Sequence, residues 1–166
     1  MSTPSRIILK LDKKDLGHFK KFDSSKLPLP YAEWIDKDEN GKVYNDESCE
    51  NKCKKVKLQG EYIAVYCHWD GYPTNTGSAL RKYFKDYDTI LNLLVGGFIS
   101  IISNGHVKHY ANRQSMEWED SRECYKGCKP IQGSLDELRK SIYGQFEYIF
   151  EDGKWKSYDG LTHKPL

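Results

Sequence analysis

The chain has 166 residues, a length typical of a single domain that buries one hydrophobic core. Its 26 basic and 24 acidic side chains give a net charge of +2, which excludes the strong overall positive field of a non-specific DNA-binding protein. No apolar run approaches the ~18 residues that span a bilayer, and residues 1–6 lack the apolar stretch of a signal peptide. We therefore expect a cytoplasmic protein with no membrane association.

The first part of the chain predicts one strand and a long polar connection. Arg6–Leu11 is short and rich in large aliphatic residues, as buried strands are. Residues 12–30 are polar and end in Leu27-Pro28-Leu29-Pro30, which favours an extended linker. Asn40-Gly41 is a strong turn signal and predicts a hairpin around it. Residues 45–57 are charged, contain two cysteines and are interpreted as an excursion from the core.

The clearest predicted strand runs from Glu61 to Asp70. Because side chains alternate along a strand, one set forms a core face: Ile63, Val65, Cys67 and Trp69. The opposite face begins with Tyr62 and Ala64 and ends in three polar side chains, Tyr66, His68 and Asp70.

Two helices are predicted to follow this strand. The first runs from about Ser78 to Phe84, with Asn75 or Thr76 as its N-cap. The second runs from Tyr87 to Val95, where apolar residues recur at helical spacing, and Gly96-Gly97 ends it.

The last part of the chain predicts a short helix and a closing hairpin. Ser134 begins a complete Ser-x-x-Glu capping box, which predicts a helix to about Lys140. The predicted strands Gln145–Phe150 and Lys154–Tyr158 flank an Asp-Gly turn, which favours a tight hairpin.

Together these elements predict an α+β fold, a single domain whose mainly antiparallel sheet carries two or three helices on one side. Residues 1–59 are expected to supply the first strand, the linker, the hairpin and the cysteine-containing excursion. Residues 60–166 are expected to form the α+β core of the same domain.

The segment from Tyr66 to Pro73, Tyr-Cys-His-Trp-Asp-Gly-Tyr-Pro, ends the clearest predicted strand. In one interpretation it is structural, because Asp70-Gly71 turns the chain and Pro73 fixes the turn. In the other it binds a ligand, with rings that stack on a base, a hydrogen bond from His68 and basic groups one helical turn further on. The ligand-binding residues of this hypothesis are Tyr66, His68, Trp69, Asp70, Tyr72, Arg81 and Lys82, with Tyr148 and Trp155 as weaker additions.

Four of the five cysteines fall in two pairs with the same spacing. The pairs Cys49-x-x-x-Cys53 and Cys124-x-x-x-Cys128 could hold a structural zinc ion if their loops meet. Free thiols are the alternative, and a reducing compartment disfavours disulfides. Cys67 stands apart on the predicted core face, which argues against a catalytic thiol.

Each of two charged clusters could be either a binding site or a solvated loop. Glu117-Trp118-Glu119-Asp120, with Glu123, could bind Mg²⁺ in a nuclease, but contiguous acids cannot all point one way, so a solvated loop is favoured. The run from Lys52 to Lys57 is the best local basic patch, although such runs usually mark a solvated loop or edge.

Abundant Tyr and Trp could stack on RNA bases, but the balanced charge makes a nucleic-acid partner unexpected.

The segment from Tyr66 to Pro73 resembles a family of small proteins of bacteriophages, prophages and some bacterial genomes that share a Tyr-x-His-x-Asp-Gly-Tyr-Pro signature on a strand-to-helix turn. The similarity continues through Glu117–Asp120, the helix at Ser134–Leu138 and the strand Glu147–Phe150. The chain has Thr74-Asn75-Thr76-Gly77 where that family usually has a Gly-Val-Gly-like helix start. Small phage proteins of this kind include inhibitors of host defence, among them oligomeric sponges that trap nucleotide signals.

The resemblance implies a homo-oligomeric accessory protein in a bacterial host cell that sequesters a small anionic ligand, for example a nucleotide immune signal. We expect a binder rather than an enzyme, since no recognised catalytic triad is present. One alternative is a phosphodiester or nucleotide hydrolase that uses His68 and Asp70. Another is a protein-binding inhibitor of a host factor, whose exposed aromatic patch would contact its partner.

Overall fold

The computed structural model of the protein describes residues 2–34, 39–40, 55–110 and 129–166. Ten strands lie in these ranges: β1 Ser5–Lys10, β2 Phe19–Lys20, β3 Ala32–Glu33, β4 Val56–Lys57, β5 Tyr62–Trp69, β6 Ile99–Ser103, β7 His106–His109, β8 Ile131–Gly133, β9 Phe146–Glu151 and β10 Lys154–Asp159. The α-helices in the same ranges are α1 Ser78–Tyr83, α2 Tyr87–Val95 and α3 Leu135–Ser141. Shorter helical segments are the 3₁₀ turns Lys13–Asp15 and Ser24–Lys26 and a π-helical segment, Pro73–Gly77. None of the helices described is long and apolar enough to cross a bilayer.

The main sheet is mixed rather than mainly antiparallel. Its strand order is β10-β9-β1-β5-β6-β7-β3, with β8 paired to the first part of β5, while β2 and β4 form a separate ribbon. Three pairs are parallel: β1 with β9, β5 with β6, and β3 with β7. The α+β class is confirmed. The antiparallel prediction is wrong because parallel pairs arise from crossovers, such as α1 and α2 between β5 and β6, which turn signals do not reveal.

Both faces of the sheet are covered, so the prediction of helices on one side only is also wrong. Alternate residues of β1 enter different clusters, with Ile7 in the core under α1 and α2 and Ile8 in the core under α3. Leu80 and Ile90 belong to the first core, and Leu138 belongs to the second. The cause is visible in β1 itself, since a central strand buried on both faces is a continuous apolar run rather than an alternating one.

Most locally encoded elements are confirmed. Strands β1, β5, β9 and β10 and helices α2 and α3 fall where the sequence places them. The Ser134 hydroxyl accepts from the Glu137 amide at 3.2 Å, and the Glu137 carboxylate accepts from the Ser134 amide at 3.3 Å, which completes the capping box. The closing turn has positive φ at Asp152 (54°) and Gly153 (75°), as a tight hairpin requires. Most of the hairpin predicted around Asn40-Gly41 lies outside the described residues.

A buried charge cluster connects β1, near the start of the chain, with α3 and β9, near its end. Glu147 of β9 accepts from Arg6 Nε of β1 at 2.9 Å and from Arg139 Nη2 of α3 at 2.6 Å. The other guanidinium nitrogens of Arg6 donate to the backbone carbonyls of Ile142 (2.7 Å) and Gly160 (2.6 Å). The side chains of Arg6 and Glu147 are 2% and 0% exposed, so neither charge has water as an alternative partner. We call Arg6, Glu147 and Arg139 the charge triad.

Glu147→Gln should lower the free energy of unfolding by about 3–5 kcal/mol, because it leaves two guanidinium groups facing a neutral side chain, one of them fully buried. Urea unfolding measures the change. The matched control is Lys140→Gln, which neutralises a charge in the exposed Asp136–Lys140 pair and should change stability by less than about 0.5 kcal/mol. Equal, small effects of the two substitutions would show that the triad does not support the fold.

Candidate functional site

The turn that follows β5 is held by contacts with both ends of the chain. The amide of Gly71 donates to the carbonyl of Thr3 at 2.7 Å, and the carbonyl of Gly71 accepts from the buried Tyr148 hydroxyl at 2.7 Å. A Cβ on Gly71 would lie 2.5 Å from the Thr3 carbonyl oxygen, so glycine is required by this close approach. Asp70 adopts a left-handed conformation with φ of 53°. These contacts favour the structural interpretation of the turn.

Asn75 and Thr76 close the turn instead of capping a helix. The carbonyl of Asp70 accepts from Asn75 Nδ2 at 2.7 Å and from the Thr76 hydroxyl at 2.9 Å. Asn75 Nδ2 also donates to the carbonyl of Ile102 in β6 at 3.1 Å. The predicted N-cap role is therefore wrong. The chain enters α1 through the π-helical segment, which leaves these side chains free to satisfy the turn carbonyl.

Tyr66 and His68 are brought together on the face of β5 that belongs to the second core. The Tyr66 hydroxyl and His68 Nδ1 are hydrogen-bonded at 2.6 Å. The His68 ring contacts Trp69 edge-on, with centroids 4.6 Å apart, and Tyr66 lies beside Phe98 at 5.9 Å. The two side chains are half-buried. This aromatic cluster could bind a ligand or stabilise the end of the strand.

Arg81 and Lys82 do not lie beside Tyr66 and His68. Helix α1 packs on the first core, across the sheet from Tyr66 and His68. Arg81 Nη2 is hydrogen-bonded to the Ser157 hydroxyl of β10, and Lys82 Nζ lies 5.2 Å from the centre of the Tyr83 ring. The phosphate-binding role of the two basic residues stays a prediction, but the geometry does not join them to the Tyr66 and His68 face.

The remaining predicted site residues have structural contacts or are exposed. Burial raises the pKa of the Tyr148 hydroxyl, and Trp155 Nε1 donates to the Phe84 carbonyl at 2.8 Å. Tyr72 is exposed. Cys67 is fully buried, and burial raises the pKa of its thiol to about 12, as its expected place on the core face implies.

The cysteine pairs proposed for zinc, Cys49 with Cys53 and Cys124 with Cys128, lie outside the described residues. So do the acidic cluster Glu117–Asp120 and Glu123. Within residues 2–34, 39–40, 55–110 and 129–166, no three His, Cys, Asp or Glu side chains are placed to hold one metal ion.

A groove of about 250 Å³ opens where the chain passes from α2 towards β6, beside β4 and β8. Its lining residues are Lys55, Val56, Lys57, Gln59, Val95, Gly96, Gly97, Lys129, Pro130 and Gln132. Three of them carry ammonium groups and none carries a carboxylate. We call this site the lysine groove. Its positive charge is local, because the whole chain is nearly balanced.

Gln132 sets the shape of the lysine groove. Its Oε1 accepts from the amides of Gln59 (2.8 Å) and Gly60 (3.2 Å), and its Nε2 donates to the Lys57 carbonyl at 2.8 Å. One side chain of β8 therefore fixes the backbone that carries Lys57 and Gln59. Both the oxygen and the nitrogen of the Gln132 amide are hydrogen-bonded in this role.

A second cleft provides a contrast in charge. It measures about 390 Å³ and is lined by Lys10, Lys85 and four carboxylates, those of Asp12, Asp86, Glu151 and Asp152. Two lysines against four acids make this cleft unfavourable for an anion. Of these two sites, the lysine groove is the one suited to negative charge.

The sequence contained part of the signal for the lysine groove. Lys55 and Lys57 belong to the basic run from Lys52 to Lys57, which is the best local basic patch in the sequence, although such runs usually mark a solvated loop or edge. Lys129 and Gln132 carried no signal, because they join the groove only through the pairing of β8 with β5.

A buried ion pair lies behind the groove. His109 Nδ1 is 2.9 Å from Glu33 Oε2, and His109 Nε2 is 2.8 Å from the carbonyl oxygen of Leu93 in α2. A Cβ on Gly96 would lie 2.5 Å from His109 Nε2, so the glycine lets the groove wall approach the ring. Burial alone would lower the pKa of His109, but the Glu33 carboxylate and the two hydrogen bonds outweigh it, and the pKa is raised above its ordinary value. Both ring nitrogens face acceptors, so His109 is an imidazolium.

Tyr148→Phe should lower the free energy of unfolding by about 1–3 kcal/mol, since it leaves the buried Gly71 carbonyl without its hydrogen bond at almost constant volume. Chemical denaturation measures this. Tyr143→Phe, at an exposed tyrosine, is the matched control and should stay within about 0.5 kcal/mol. An unchanged free energy of unfolding for Tyr148→Phe would mean that the turn does not depend on this hydrogen bond.

The difference in stability between the wild type and His109→Gln should depend on pH. A folded-state pKa above the ordinary value of 6.5 means that protonation favours the folded state, so the contribution is complete below about pH 6.5. It is lost as the pH rises through the raised pKa. Urea midpoints measured from pH 6 to pH 10 should converge for the two proteins. A difference that stays constant over this pH range would contradict the imidazolium assignment of His109.

Comparisons of the chain with protein families, with curated proteins and with solved structures find no match. The resemblance to the phage and prophage family therefore stays a prediction.

Proposed function

We propose that the protein binds a small anionic ligand in the lysine groove and holds it without altering it. The observation that carries this proposal is the charge of the lining, which has Lys55, Lys57 and Lys129 and, among the residues that the structure describes, no carboxylate. Within the part of the chain that the structure describes, no acidic residue forms a salt bridge with these three lysines. Basic side chains gathered at one groove raise the local concentration of anions and favour an anionic ligand there.

A purely structural account of the lysines is weaker. Basic side chains often lie near a helix C-terminus, where they stabilise unpaired carbonyl groups. At the end of α2 two of these carbonyls already have donors, since Leu93 accepts from His109 Nε2 and Leu94 accepts from the Gly97 amide at 3.0 Å. The imidazolium of His109 also supplies positive charge at this helix end. The end of α2 therefore does not need the three lysines as capping groups for these two carbonyls.

The chemistry of the lining supports holding the ligand rather than converting it. Among the groove residues described are amines, amides and aliphatic groups, but no imidazole, thiol or carboxylate. Those absent types most often serve as general acid, general base or nucleophile. His68 and Asp70, the residues of the hydrolase alternative, lie on β5 and its turn and do not line the groove.

The resemblance to small phage proteins extends this proposal. In that setting the protein is a homo-oligomeric sponge in a bacterial host cell, and its ligand is a nucleotide immune signal. Sequestration needs affinity and slow release rather than catalysis, which agrees with a site built from lysines. The competing roles, a nucleotide hydrolase and a protein-binding inhibitor of a host factor, predict different results in one experiment.

A thermal-shift screen against mononucleotides, cyclic dinucleotides, NAD and inorganic polyphosphates tests the proposal. Ligand at a hundred times its Kd should stabilise the fold by about 2.7 kcal/mol, which is several degrees for a domain of this size. Lys57→Glu should weaken binding at least about tenfold, and added salt should weaken it further. The matched control is Lys85→Glu in the acidic second cleft, which should leave the affinity unchanged.

Three other outcomes are informative. A ligand released in altered form after heat denaturation would identify a hydrolase. No shift with any anion would remove the proposal and favour a protein partner. Equal losses in Lys57→Glu and Lys85→Glu would show that anions bind through overall charge and not in the lysine groove.

A further inference from the structure

We infer that the lysine groove recognises the phosphoryl groups of its ligand and not a base, and that its ligand class is a compact anion bearing a diphosphate. This inference rests on the proposed function and specifies its ligand. It assigns the base, where the ligand has one, to a position outside the groove.

The charge of the lining favours two linked phosphoryl groups. Three ammonium groups line the groove, with no carboxylate among the lining residues that the structure describes. A single phosphoryl group carries at most about two negative charges near neutral pH, so it leaves one of the three positive charges unbalanced. Two linked phosphoryl groups supply a third negative charge. A diphosphate therefore matches the lining in charge.

The described lining has no aromatic ring or guanidinium plane on which a base could stack. None of its described residues is aromatic, and proteins that bind bases usually stack them on aromatic rings or on the guanidinium plane of Arg. Of its two side-chain amides, that of Gln132 is occupied at both ends. The aromatic side chains that the sequence suggested for stacking, Tyr66 and His68, do not line the groove.

The groove is small. The groove holds about 250 Å³, below the roughly 300–1,000 Å³ typical of sites that enclose whole drug-sized ligands. This volume suits a diphosphate with part of an attached sugar. Val56, Val95 and Pro130 supply the apolar part of the lining, while the three lysines themselves are exposed.

Isothermal titration calorimetry of the intact protein tests the inference with inorganic pyrophosphate, ADP, GDP, UDP, AMP, adenosine, a cyclic dinucleotide and a short single-stranded oligonucleotide. Pyrophosphate and the three nucleoside diphosphates should bind within about threefold of one another. AMP and the cyclic dinucleotide should bind at least tenfold more weakly, and adenosine should not bind. Lys55→Met, Lys57→Met and Lys129→Met should each weaken pyrophosphate binding, while Lys85→Met should not.

The outcomes separate this inference from the function on which it rests. A tenfold preference for one base, or tighter binding of the cyclic dinucleotide or the oligonucleotide than of pyrophosphate, would overturn the diphosphate inference and leave anion binding in place. No binding of any anion would overturn both. Gln132→Ala should weaken pyrophosphate binding although the residue needs no contact with ligand, because it positions Lys57. An unchanged affinity, with circular dichroism confirming the fold, would remove that positioning role.

Discussion

The charge triad of Arg6, Glu147 and Arg139 is the interaction on which the rest of the structure depends. It places the buried carboxylate of Glu147 between two guanidinium groups, at a position where an isolated charge would cost several kcal/mol. The cost is offset because Arg6 donates from all three of its guanidinium nitrogens, one to Glu147 and two to backbone carbonyls. The triad therefore fixes β1, β9, α3 and the chain after β10 in one register.

Strand β1, which the triad holds in place, positions the elements next to it in the sheet. Strand β1 fixes the N-terminal residues, and Thr3 and Pro4 accept hydrogen bonds from Gly71 and Gln145. The turn after β5 is thus held against the chain start, and β5 in turn aligns β6 and β8 along its other edge. The lysine groove lies beside β8, which pairs with β5. Its shape depends on the pairing of β8 with β5, which positions Gln132.

The parts of the fold that could be predicted are those whose causes are local. The capping box at Ser134, the Asp-Gly turn and the helical spacing of α2 each lie within a few residues, and each is confirmed. The parallel pairs, the placement of α3 on the second face and the approach of Lys129 to Lys57 depend on contacts between distant segments, which no local pattern encodes. Asn75 and Thr76 were misassigned for a different reason. The side chains that cap helices also satisfy tight turns, and only the direction of the chain decides between the two roles.

The place of β1 between β5 and β9 also has a consequence for synthesis on the ribosome. Strand β1 is synthesised before its parallel partner β9, whose residues 146–151 emerge much later. A nascent chain can pair β1 with β5, but Arg6 lacks its partner Glu147 until that residue has left the exit tunnel. The backbone N–H and C=O groups on the β9 edge of β1 stay unpaired throughout that interval, and an unpaired strand edge favours aggregation. Completion of the sheet is therefore a late event that follows translation of most of the described chain.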